Sequence, residues 1–342
     1  MLPYQVVFIF LCVNVGFVLS SHEAHASQAG EAIVVTMEND VFTGSDDSYS
    51  NGFSVSWVSA AHDSYANDAL SRKIIEGFDF LPGVDLSAGK HYWSWSVSQE
   101  MHTPENISVK EPDPNDQPYA GFLLADVSLH SLYENWGQAW NLRLGMVGPS
   151  ARAGETQKVV HVALGSEEPQ GWDAQVSDEA VINLGYVAGF KLIEKPISHH
   201  FFWRAIPLAT VELGTYSTLA GGGVLFELGS SGAEPLGICG LSNGVRTACA
   251  IGSAYSAHWQ VTSYLANGYY RVFHYLPIDG PVFKSGPSAA MEDDPVVNFT
   301  NAGIAVRKGS LAFIFGVAYG VNPADSAGGK LDYGTFTFVY GF

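Results

Sequence analysis

A chain of 342 residues with only 15% Asp, Glu, Lys and Arg, 13% aromatics and 37 glycines is too poor in charge for an ordinary soluble surface, where about 25% is usual. Its formal charge of −18 argues against nucleic acid as a partner and against polybasic attraction to anionic lipid; divalent cations are left as the bridge to any anionic surface. The length suits one large all-β domain, and no repeat or low-complexity linker marks a boundary inside it.

The chain opens on an apolar run from Val6 to Leu19, broken by Asn14, and then Ala24-His25-Ala26. That pattern predicts a secretory signal over residues 1–26, cleaved after Ala26, and a mature domain over 27–342. The run is too short to span a bilayer, and no later stretch reaches the roughly 18 uninterrupted apolar residues of a membrane helix. Cys12 would leave with the signal. Cys239 and Cys249, close together in an exported chain, then read as a disulfide rather than a metal site.

Period-two alternation recurs from there almost to the end. It predicts strands near 32–38, 51–60, 91–101, 117–130, 136–147, 179–194, 200–213, 217–229, 257–273, 296–307, 310–321 and 331–342. Many are longer than the five or six residues usual in soluble sheets and match the ~9–11 that a tilted membrane strand needs. The last run, Thr335-Phe336-Thr337-Phe338-Val339-Tyr340-Gly341-Phe342, sets aromatics at alternate positions and ends on one. Such an edge would aggregate in water, which disfavours a β-sandwich, whereas in a barrel it faces lipid. The reading is therefore all-β: a twelve-stranded antiparallel transmembrane β-barrel in a bacterial outer membrane. With the N-terminus in the periplasm, the connections near 39–50, 102–116, 148–178 and 274–295 face outward. Those near 131–135, 195–199 and 308–309 are short periplasmic turns, while 61–90 and 230–256 are unusually long for that side.

Polar groups converge on the outer rim. Glu38-Asn39-Asp40 ends the first strand and Ser48-Tyr49-Ser50-Asn51-Gly52 opens the second. In Glu155–Gln175 a short helix is expected on the extracellular loop: Val159, Val160, Ala163 and Leu164 form one apolar stripe, Gly165 caps it and Pro169 forbids resumption. His161 lies off that stripe, and Glu167 follows on the loop folding back from the cap. A histidine with a carboxylate in reach can act as a general base; the alternative is a surface histidine beside a solvated acidic turn. Asn39 and Asp40 offer the hard oxygen donors that Ca²⁺ prefers, with Glu167 or Glu168 to complete them. Asp46-Asp47 lacks the spacing and closing glutamate of an EF-hand loop.

Several motifs resemble the outer-membrane lipid A 3-O-deacylase family (LpxR-like). They are Glu38-Asn39-Asp40; Tyr49-Ser50-Asn51-Gly52; Pro118-Tyr119-Ala120-Gly121-Phe122 after Asp116-Gln117; Val147-Gly148-Pro149; Gln157 to His161; and Gly165 to Trp172, in the family's order. The resemblance implies a barrel whose histidine, on an extracellular-loop helix, works with Ca²⁺ to hydrolyse the acyl ester at the 3 position of lipid A. His161 matches that histidine and Glu167 its helper carboxylate. Asn39 and Asp40 match the first-strand pair, and Ser50 stands where a hydroxyl residue is usual. Asp40 and Glu167 are the implied metal ligands. Only Lys110 occupies the loop where some relatives carry adjacent basic residues; Lys110 and Lys158 are the candidates for binding substrate. The implied partner is lipid A of lipopolysaccharide in the outer leaflet, approached by a monomer embedded in the membrane.

Two rivals stand beside this. One is an outer-membrane phospholipase or esterase using Ser50 as nucleophile, although the chain has no Gly-x-Ser-x-Gly elbow and Gly229-Ser230-Ser231-Gly232 reads as a loop. The other is a pore or adhesin scaffold without activity. So few charges suggest a lumen filled by side chains and small polar groups rather than an open channel.

Overall fold

A computed structural model describes residues 30–43, 48–64, 72, 73, 76, 77, 81, 89–164, 166–230, 256–289, 296–320 and 332–342. The signal over 1–26, the Cys239–Cys249 pair and the capping Gly165 lie outside the described residues.

Among the described residues thirteen strands follow one another: β1 (Ala32–Asn39), β2 (Ser48–Val58), β3 (Lys90–Thr103), β4 (Ala120–Leu132), β5 (Trp136–Val147), β6 (Glu179–Phe190), β7 (Ile193–Pro196), β8 (Phe201–Gly214), β9 (Ser217–Ser230), β10 (Ser256–Tyr275), β11 (Val296–Gly309), β12 (Leu311–Gly320) and β13 (Tyr333–Gly341). Each pairs antiparallel with its neighbour in the sheet, and pairing of β1 with β13 and of β6 with β8 closes the ring. β7 pairs with β8 alone, in line beyond the end of β6, so twelve strands make the wall. The single strand expected over 179–194 is thus divided. At the break, Lys191 N donates to Asn135 O and Leu192 N to Ala205 O, which satisfies both amides outside the β6 ladder.

Along each strand the alternation sorts side chains by solvent. On β2 and β3, Phe53, Val55, Trp95 and Val97 are exposed, while the intervening Ser54, Ser56, Ser94, Ser96 and Ser98 are buried. A soluble protein has the reverse arrangement. Apolar outside and small polar inside is what lipid on one side and a filled lumen on the other require. Among the described residues no helix is long and apolar enough to cross a membrane, and the strands do the crossing.

The lumen is closed by its own side chains. Arg143 Nε lies 2.8 Å from Asp126 Oδ1, and Arg143 Nη1 3.6 Å from Glu100 Oε1. Tyr216 donates to Glu100 at 2.6 Å, and Tyr49 donates to Glu38 at 2.7 Å. All of these are buried, so each charge keeps an opposite charge or a donor; removing one partner of such a pair typically costs about 3–5 kcal/mol. Above them the segment after β10 folds across the rim. Leu276 and Ile278 are fully buried there, Leu276 N donates to Tyr216 O, and Val282 N and Phe283 N both donate to Glu179.

Candidate active site on the outer rim

The rim of β1–β3 is stitched by three polar side chains. Parity turns Glu38 into the lumen and Met37 and Asn39 outward, and the next residue, Asp40, opens a 3₁₀ turn with only 1% of its surface exposed. Asn39 Nδ2 donates to Ser50 O at 2.6 Å. Tyr49 pairs with His102 but Asn51 with Met101, so Ser50 is an extra residue in the ladder. A bulge of this kind re-aims a side chain, and here the Ser50 hydroxyl meets Thr103 Oγ1 at 2.5 Å. Nothing in the sequence marks Thr103 as part of the site. Its only signal is the outward parity it shares with Met101.

The loop after β5 supplies the helix α1 (Ala153–Leu164). Gly148 starts the loop at φ 106, a conformation that favours glycine, and its N–H donates to Gly121 O at 2.9 Å. α1 then lies on the outer face of β3 and β4. A Cβ on Gly121 would come within 2.3 Å of Ala153 Cβ, so the bare glycine is what lets the helix touch the wall. Ala153 packs with Met101, Ile107, Tyr119 and Trp172. Trp172 Nε1 donates to Gln157 Oε1 at 2.7 Å, and Gln99 Nε2 donates to Ala151 O at the same distance. Burial pushes the Tyr119 phenol up to about 12, so it stays neutral and donates to Ile107 O at 3.3 Å.

This packing corrects the expected orientation of the helix. Ala153 and Gln157 are buried, and His161 follows them at the same four-residue spacing, partly covered. Val159 and Val160, expected to lean on the protein, are 66% and 42% exposed, as is Val162 at 66%. The contact face is the Ala153–Gln157–His161 line. The wall beneath it is apolar on its outside, so no apolar stripe is needed to hold the helix away from water.

His161 is held by the loop that follows it. Its Nδ1 lies 2.5 Å from the carbonyl oxygen of Glu167, and Ser166 N donates to His161 O at 2.9 Å. A carbonyl can only accept, so Nδ1 is the donor here, and in the neutral imidazole it is Nε2 that carries the lone pair. It is thus the Glu167 backbone that fixes the tautomer; the Glu167 residue is exposed. Lys158 pairs with Glu168 at 2.5 Å, and Lys110 is exposed on the loop after β3. Among the described residues no three of His, Cys, Asp and Glu come close enough together to hold a metal ion. The buried Asp40 and neighbouring Asn39 have the oxygen chemistry that calcium takes, but a full shell would need carbonyl or ligand oxygens besides.

The comparisons agree with this architecture. The family model of outer membrane protein LpxR matches residues 7–342. The structure is similar to that of LpxR from Salmonella typhimurium, at 14% identity and a TM-score of 0.69, over 91% of this chain and 100% of that one. It is less similar to the β domain of the Bordetella autotransporter BrkA, at 9% identity and a TM-score of 0.44, over 92% of this chain and 99% of that one. No curated protein sequence matches the chain. A family match over nearly the whole sequence, a closed ring of twelve antiparallel strands and an outward-facing apolar wall together make this chain a member of the LpxR family of outer membrane proteins.

Proposed function

We propose that the protein is a lipid A deacylase that hydrolyses the 3-linked acyloxyacyl ester with water activated by His161. The observation that carries this reading is the Nδ1–carbonyl contact, which leaves Nε2 as a proton acceptor on a helix laid against the outside of the barrel. Nε2 takes a proton from water as its oxygen bonds to the ester carbonyl carbon. The tetrahedral intermediate then expels the alkoxide at the 3 position of the sugar, which recovers the proton from the imidazolium, and the acyl chain leaves as the free acid. No covalent enzyme intermediate is needed.

Asn39 and Asp40 belong to the same site in this proposal, at the end of β1 on the outward side of the rim. Calcium is the proposed cofactor, with Asp40 and Glu167 as its carboxylate ligands and neighbouring oxygens completing the shell. When bound it would supply positive charge for the oxyanion of the intermediate. Lys158 and Lys110 are the cations offered to lipid A phosphates, Lys158 after exchanging its Glu168 partner. The serine-nucleophile reading is weakened by the Ser50 hydroxyl, whose short hydrogen bond runs to Thr103 rather than to a histidine. The deciding measurement is mass spectrometry of lipid A from cells with and without the protein. Loss of the acyl chain at the 3 position only where the protein is present is the expected result, and identical lipid A in both would sink the proposal.

A further inference from the structure

Half-way round the ring from β3 and β4, which carry α1, the lipid-facing surface of β10 and β11 departs from the apolar rule. On β11 Val297 and Phe299 are buried in the lumen, so Asn298 and Thr300 face outward; on β10 Ala266 and Tyr270 are buried and Asn267 faces outward. The three polar residues are neighbours across the seam. Asn267 pairs in register with Thr300, and Tyr269 with Asn298. Asn267 Nδ2 donates to Thr300 Oγ1 at 2.7 Å and to Asn298 Oδ1 at 3.3 Å. Asn298 Nδ2 donates to Gly268 O at 2.9 Å and to Asn267 Oδ1 at 3.4 Å. These bonds satisfy the amide hydrogens. The Thr300 hydroxyl serves in them as an acceptor, so its own proton is left for a partner outside the protein, as are further lone pairs on both asparagine oxygens. Acyl chains alone would leave such groups without a partner, at a cost in free energy.

Their height on the wall points to head groups instead. On the lipid-facing side of β10, Trp259 is 63% and Tyr269 61% exposed. The stretch of strand from one ring to the other rises roughly 25 Å at an ordinary tilt, which is the spacing of the two aromatic girdles of a barrel. Asn298 is therefore level with the outer girdle, and Asn267 and Thr300 sit just beneath it. Arg271 follows above Tyr269 on the same face, exposed, with its guanidinium 5.5 Å from the centre of the Phe273 ring. Among the described residues of the twelve wall strands every Asp and Glu is buried, and the other exposed cations, Lys90 and Lys308, stand at the periplasmic ends. The outer half of the wall thus offers an anion one guanidinium and no carboxylate to repel it.

We propose that the β10–β11 seam is a second, non-catalytic binding site for an N-acylated, phosphorylated sugar lipid of the outer leaflet, the class to which lipid A belongs. Arg271 takes a phosphate, Tyr269 lies against a sugar ring, and Asn267, Asn298 and Thr300 bond the amide and hydroxyl groups where the acyl chains begin. A glycerophospholipid has the phosphate but neither the sugar nor the amide-linked chains. The site makes no use of His161 and rests only on the outer-membrane placement of the barrel, so it can fail while the deacylase reading stands.

The test is native mass spectrometry of the full-length protein in detergent with purified lipid A. His161→Gln is the parent in every sample, so that lipid A is not consumed, and Asn267→Leu, Asn298→Leu and Arg271→Gln are combined in it. Leucine suits a lipid-facing position, and heat-modifiable migration on gels verifies that each barrel is folded. Lys308→Gln in the same parent is the control for a lipid-facing cation at the other end of the wall. Parent and control are expected to bind one lipid A more than the combined variant. That extra molecule should bind the variant at least roughly tenfold more weakly, as loss of a charge-assisted hydrogen bond alone would give. Phosphatidylglycerol at equal concentration should leave it bound to the parent. Equal lipid A counts in folded parent and combined variant overturn the proposal, and so does displacement of the extra molecule by phosphatidylglycerol. A dimer of the parent that the combined variant loses also overturns it, because the seam would then pack against a second copy of the chain.

Discussion

His161 draws its orientation from a backbone carbonyl, and that separates the side chains around it by role. Replacing His161 with glutamine keeps the shape and removes the proton acceptor, so activity on lipid A is expected to fall by about 10²–10⁴-fold. The barrel does not depend on the side chain, and heat-modifiable migration should be unchanged; near wild-type deacylation by folded His161→Gln would end the general-base mechanism. Asp40→Asn also is expected to lose activity. If Asp40 binds calcium, a high calcium concentration should restore part of that loss, whereas none should restore His161→Gln. Glu167→Gln leaves the carbonyl contact in place, so any loss it shows reports the carboxylate and should likewise shrink as calcium is raised. A Glu167→Gln defect indifferent to calcium would remove that carboxylate from the ligand set.

At the scale of elements, the approach of α1 to the wall is governed by one missing side chain. A Cβ at Gly121 would meet Ala153 Cβ at 2.3 Å, with Trp172 3.4 Å away, so Gly121→Leu must lift the helix off β4. Activity is expected to drop by at least tenfold while the barrel still assembles, because β4 keeps its ladder to β3 and β5. Full activity in Gly121→Leu would mean that the wall contact does not position His161. The sequence carries the strands well, since period-two alternation with lipid outside is a strong signal over ten or more residues. It carries the helix less well. An apolar stripe predicts which face avoids water, but the buried residues of the helix are Ala153 and Gln157, while Val159, Val160 and Val162 stay exposed. Thr103 was silent because its role arises from the bulge at Ser50, and an extra residue in a ladder leaves no mark on alternation. The break between β6 and β7 was equally hidden, because Lys191 and Leu192 satisfy their amides through partners distant in sequence.

The whole molecule is a filled cylinder, and the proposed chemistry lies on its outside. Glu38, Glu100, Asp126 and Arg143 are buried in the lumen with their partners, and Leu276 and Ile278 seal it from above. Purified protein in planar bilayers is accordingly expected to show no steady conductance; a reproducible open-channel current would restore the pore reading. The closure of that cylinder depends on its last strand. β13 pairs with both β12 and β1, and the terminal Phe342 adds its own backbone bond, N to Glu31 O at 2.9 Å. Its ring is 59% exposed and stacks with Tyr340 at 6.1 Å, at the end of the strand remote from Asn39 and the rim site. Aromatic girdles at a membrane interface anchor a barrel without touching its loops. Deleting Phe342 removes one closing hydrogen bond and one anchoring ring, both far from His161. The yield of folded, membrane-inserted protein should fall, while deacylation per folded molecule stays at the wild-type rate. A normal yield with lost activity would instead couple Phe342 to the site, against the pairing of β1 with β13 that sets the two at opposite ends of the strand.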